Sequence, residues 1–141
     1  MKKLDVASWL FLGLAVFGLV HGAAQTFGPG VDPHWPGDAR TVAVVGGLHM
    51  MTLGLVTAIM AGGLRRRRRS AWIILLIVTT LGWAAWPLAR LLVGDPQPAW
   101  TQITTTLALA LAVIALGISF RSIFDADSPA STRRSAPPVG E

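Results

Sequence analysis

His21, His49 and Arg90 each interrupt a long apolar stretch of this 141-residue chain. A neutral imidazole ligates haem, copper or zinc and can pass protons. A guanidinium in apolar surroundings pairs with a phosphate or carboxylate head group and stacks on tryptophan. Gln25, Trp83 and Trp86 recur at helical spacings from these residues or from one another, and Thr105 lies at a similar level on the last apolar run. Together the seven define a candidate ligand-binding set: His21, Gln25, His49, Trp83, Trp86, Arg90 and Thr105. Two histidines can also hold a b-type haem, and Gly18, Gly22, Gly46 and Gly47 beside them would leave room for a porphyrin. Haem b on His21 and His49 is therefore the alternative cofactor expectation, against none. A metal has weaker grounds. Asp32, His34 and Asp38 are metal-capable but lack a diagnostic spacing. Met50 and Met51 are rotated from His49 by about 100° and about 200° on a helix.

Other chemistries are excluded by what is missing. The chain has no cysteine, so thiolate nucleophiles, disulfides, iron–sulfur clusters and CxxC redox chemistry are out. Its seven acids, Asp5, Asp32, Asp38, Asp95, Asp125, Asp127 and Glu141, all fall outside the apolar stretches. A carboxylate-driven antiporter and a phosphotransferase built on clustered aspartates both lack their central groups. No GxSxG, HExxH or P-loop is present. The expectation is a protein without catalysis of its own.

The elements that must position these residues are membrane helices. Hydrophobic residues make up 52% of the chain and charged residues 13%, with a mean hydropathy of +0.57. A soluble domain this small is mostly surface and needs more charge to cover it. The apolar residues gather into four runs, about 6–24, 41–64, 71–93 and 101–120. Each is close to the ~20 residues that cross ~30 Å of hydrocarbon as a helix. None alternates polar and apolar residues as a barrel strand does. The first run has a competitor: Lys2 and Lys3 before it and Gly22-Ala23-Ala24 at its end fit a signal peptide cleaved after Ala24. Against that, the run exceeds the ~7–15 residues of a signal core, and Asp5 interrupts the basic segment.

Charge sets the orientation. With both termini cytoplasmic, ten basic residues lie inside, Arg65–Arg69 among them, and only Arg40 and Arg90 lie outside. The positive-inside rule selects that arrangement. The same position makes the five arginines a topology signal before a nucleic-acid patch, and no nucleic-acid partner is expected. Trp9, Trp72, Phe120 and Phe124 fall at the inner ends of the runs and Trp35 and Trp100 at the outer, as an interfacial belt does. Short connections make consecutive spans antiparallel neighbours. The expected fold is all-α: a four-helix up-down-up-down bundle over residues 1–122, with residues 123–141 a polar, disordered cytoplasmic tail. The plan is similar to that of DoxX-like and many other small bacterial membrane proteins, a likeness of architecture alone.

Spacings of three and four assign an inward face to each run. They are Phe11, Leu14, Gly18, His21 and Gln25; Val45, His49, Thr52, Val56 and Ile59; Leu76, Thr79, Trp83, Trp86 and Arg90; and Thr105, Ala108, Ala112, Ala115 and Ser119. These faces collect the polar residues, which should turn away from hydrocarbon. Gly47, Gly54 and Ala61 form a small-residue stripe on the other side of the second run, suited to packing within the chain, to a homo-oligomer or to a partner helix. Pro87 removes the hydrogen bond to the Trp83 carbonyl and should kink the third run there.

The expected function is that of a multi-pass inner-membrane protein binding a lipid-like ligand or a partner subunit through the outer half of its bundle. The alternatives are a haem-carrying electron-transfer or redox accessory, and a transporter or channel subunit, which the apolar inner halves of the faces disfavour.

Overall fold

The computed structural model describes residues 3–28, 37–85, 88, 92 and 99–124, and among these every regular element is helical. Helix α1 spans Lys3–Phe27, α2 Gly37–Arg65 and α3 Arg69–Ile77. A π-helical segment, Val78–Trp83, continues α3, and α4 spans Ala99–Phe124. Three helices are long and apolar enough to cross a membrane: α1, the Arg40–Arg65 stretch of α2 and the Ile103–Phe124 stretch of α4. The third expected span is seen as Arg69–Trp83, a shorter apolar helix. Most of the chain from there to Val93 lies outside the described residues, as do the loop over 29–36 and the tail beyond Phe124.

Glycine decides how α1 and α2 meet. Ser8 Oγ donates to the Ala61 carbonyl at 2.9 Å. A Cβ on Gly54 would stand 2.8 Å from the Ala15 carbonyl oxygen, and one on Gly22 would stand 2.5 Å from that of Gly47. As the number rises on α1 it falls on α2, so the two helices run antiparallel in backbone contact along their length. In lipid such contact supplies the dispersion and polar attraction that water-driven burial cannot.

This contact corrects the inward face expected for α2. Gly47, Leu53, Gly54, Thr57, Ala61 and Leu64 are its buried residues, whereas Val45, His49, Thr52 and Ile59 are exposed and Val56 is half-buried. The small-residue stripe packs within the chain, and the face carrying His49 turns out. The physical reason is reach. Only the stripe lets the α2 backbone approach Gly18 and Gly22, and many close contacts outweigh hiding one imidazole. The faces expected for α1 and α4 hold: Phe11, Leu14, Gly18, Ala112, Ala115 and Ser119 are buried, and His21, Gln25, Thr105 and Ala108 half-buried. On α3 the buried position is Leu75 rather than its neighbour Leu76.

The turn from α2 into α3 consists of arginine. Arg68 N–H donates to the Gly63 carbonyl at 3.1 Å and Arg67 N–H to that of Leu64 at 3.0 Å. Those two bonds are a Schellman C-cap with Arg67 at the left-handed position, φ 55°. Beyond it, Ala71 packs on Gly63, and Trp72 Nε1 donates to the Leu116 carbonyl of α4 at 3.2 Å. The rings of Trp72, Phe120 and Phe124 then join α3 to α4, with centroids 5.0–5.5 Å apart.

The winding of α3 loosens before Pro87, which lies outside the described residues. Ala84 N–H reaches the Thr79 carbonyl, five residues back, at 3.0 Å. The wider turn brings Thr79, Gly82 and Trp83 to the buried side. Gly82 seats the Leu53 side chain.

Candidate functional site

His21 and Gln25 lie one turn apart on α1. Gln25 Nε2 is 3.0 Å from His21 Nε2. The amide N–H can donate to this ring nitrogen when the nitrogen is unprotonated. The imidazole stacks on Phe17, one turn earlier, with centroids 5.4 Å apart and planes 13° apart. Phe17 in turn meets Trp83 at 6.3 Å. Trp83 is 5% exposed. Its ring fills the notch over Gly18, where a Cβ would stand 2.7 Å from Cη2. Its Nε1 donates to Thr57 Oγ1 at 3.4 Å, and that hydroxyl donates to the Leu53 carbonyl at 2.7 Å. The structure thus brings together His21, Gln25 and, through Phe17, Trp83.

It does not bring His49 to them. His49 is exposed on the outward side of α2, one turn before exposed Thr52, whose hydroxyl is committed to the Leu48 carbonyl at 2.9 Å. Thr105 is half-buried on α4. Trp86 and Arg90 lie outside the described residues, as do Asp32 and His34; of Asp38 only the backbone, in the first turn of α2, is described.

The glycines expected to admit a porphyrin are spent on helix contact. Trp83 occupies the space over Gly18. Gly22 meets Gly47 and Met51, and Gly47 meets Thr26. Only Gly46 is open, with Gln25 Oε1 at 3.8 Å from where its Cβ would be. His49 is exposed on α2 while His21 is half-buried on α1, so the described residues do not bring the two imidazoles together. Among the described residues no three metal-capable side chains gather.

Buried polar groups are satisfied from within. Ser8 and Thr57 bond carbonyls of α2, and Ser119 that of Ala115 at 2.7 Å. Among the described residues no buried side-chain nitrogen or oxygen lacks a partner. Exposed polarity among the described residues includes His49 on the α2 face and the arginine-rich end.

The sequence shows the charge of that end but not its arrangement. Lys3, Arg65–Arg69 and Arg121 are all exposed. Arg65 lies over the Trp9 ring at 4.7 Å and Arg69 over the Phe124 ring at 5.4 Å. Contacts between distant segments make these pairs, and no local spacing announces them.

Comparison of the chain with protein-family models, with curated proteins and with solved structures finds no match.

Proposed function

We propose that this is a four-span inner-membrane protein, both termini cytoplasmic, that acts without catalysis by holding a membrane-embedded partner subunit against the outward face of α2. The orientation is supported by the ten basic residues it puts inside against two outside. The partner reading is carried by one observation: His49 is exposed within an apolar helix. It lies nine residues in from Arg40, about 14 Å along the axis at 1.5 Å per residue. At that depth an imidazole facing acyl chains has no hydrogen-bonding solvent, and polar residues in spans turn toward other protein.

The surroundings suit a helix better than a small ligand. Val45, Leu48, Thr52, Leu55 and Ile59 alternate spacings of three and four along the exposed side, with His49 on the flank. That is the seam of a left-handed helix pair. α2 is also the least buried of the three long helices. A lipid-like ligand bound inside the bundle is less favoured, because the buried polar side chains among the described residues already have partners within the protein.

A photo-crosslinking side chain at Thr52, with a second at the exposed Val16 of α1 as control, tests this in cells. A discrete protein adduct at position 52, absent at 16 and lost with His49→Leu, is expected. An adduct of twice the chain mass would make the partner a second copy. Lipid adducts alone, equal at both positions, would overturn the proposal.

A further inference from the structure

We infer that the arginine-rich end of the bundle is a binding site for anionic phospholipid head groups. Lys3, Arg65–Arg69 and Arg121 are brought to one end by the antiparallel pairing of α1 with α2 and by the packing of α3 on the end of α4. Among the described residues Asp5 is the one carboxylate beside these seven cations. A surplus of that size needs counterions, and a phosphodiester accepts paired guanidinium N–H bonds that water or chloride cannot match.

Three features go beyond what a topology signal requires. First, the flanking arginines are oriented: Arg65 lies over Trp9 and Arg69 over Phe124. Second, Trp9 is 59% exposed and Phe120 46% exposed, so apolar ring surface adjoins the cations. A lipid presents the matching pair, a phosphate beside acyl chain, whereas inorganic phosphate presents only the first; the rings stand at the end of helices apolar enough to cross a membrane, where acyl chain is the apolar group at hand. Third, Arg67 occupies the left-handed cap position at φ 55°, where glycine fits without steric cost. Charge stands there although the backbone prefers glycine. Retaining a side chain at a strained position points to a use for it.

The Arg67→Gly substitution makes this testable, since it removes the cation while relieving the backbone. Full-length protein would be purified into mixed micelles with equimolar phosphatidylglycerol and phosphatidylcholine, and the co-isolated lipid quantified by mass spectrometry. Wild type is expected to enrich phosphatidylglycerol. Arg67→Gly should melt no lower than wild type and lose about fivefold in relative affinity, the effect of one basic residue at an anionic surface. Adding Arg66→Gln and Arg68→Gln should bring enrichment close to none. Enrichment unchanged in the triple variant would overturn the inference. So would full competition by inorganic phosphate at the concentration of the lipid phosphate, since that would mark a site for the anion without its acyl chains.

Discussion

Gly22 of α1 and Gly47 of α2 touch backbone to backbone: a Cβ on Gly22 would stand 2.5 Å from the Gly47 carbonyl oxygen and 2.8 Å from the Met51 nitrogen. Neither obstacle is the movable end of a side chain, so larger residues must push the helices apart. Gly22→Val is expected to cost about 1–3 kcal/mol or more, as overpacking does, and Gly54→Leu a similar amount. Gly117, with nothing within 4 Å of its Cβ position, is the control. Gly117→Ala should be neutral or stabilising by up to ~1 kcal/mol through helix propensity. Unfolding by titrated denaturing detergent measures all three. A Gly22→Val protein as stable as wild type would mean that α1 and α2 are not in backbone contact at this point.

Trp83 joins three elements, filling the notch at Gly18 and reaching Thr57 on α2. Removing its ring leaves a large cavity, and Trp83→Ala should cost about 3–5 kcal/mol. Thr57→Val removes only a hydrogen-bonding hydroxyl and should cost about 0.6 kcal/mol, the average for such a bond in a membrane helix bundle. Were Trp83 held open for a ligand, its truncation would be the milder change. Thermal melts of the two variants beside wild type decide the order.

How much of this is legible in the sequence differs from helix to helix. Length and hydropathy give α1, α2 and α4 to within a few residues, because crossing hydrocarbon is a one-dimensional demand. The inward faces of α1 and α4 follow from spacing, since on both helices small and polar residues share one side. On α2 the two signals conflict: Gly47, Gly54 and Ala61 lie on one side and His49 and Thr52 on the other. Reading polarity as inward picks the wrong side, and only the position of Gly18 and Gly22 on the neighbouring helix resolves the conflict. Of the site residues, the His21–Gln25 pair is readable as a one-turn spacing. The file from His21 through Phe17 to Trp83 is not, because it depends on how a π-wound segment rotates Trp83 toward α1.

Orientation is open to direct labelling. A cysteine at Gly37 should react in intact cells with a membrane-impermeant thiol reagent, and a cysteine at Arg67 should not until the cells are opened. No native cysteine competes. Neutralising all five residues of Arg65–Arg69 should mix the two orientations, seen as partial labelling at both sites. Labelling at position 67 in intact cells, with the other four arginines in place, would reverse the assigned sides.

The two histidines should respond in opposite ways. His21 is half-buried, stacked on Phe17 and bonded to Gln25. In His21→Leu the Gln25 amide loses its acceptor, which should lower stability by about 0.6 kcal/mol and at most ~2. His49 is exposed on α2, so His49→Leu exchanges an imidazole facing acyl chains for an apolar group. The isolated protein should be unchanged or more stable, while the crosslinked partner is lost. This split separates a packing histidine from a recognition histidine, because a shared ligand would make both substitutions costly in the same preparation. Haem would do so visibly, with a Soret band that either substitution abolishes. The protein purified from haem-replete cells is expected to be colourless, since the space over Gly18 and Gly22 is filled by Trp83 and Met51. A Soret band sensitive to both His21→Leu and His49→Leu would require α1 and α2 to part at those glycines, which is incompatible with their close packing at that end of the bundle.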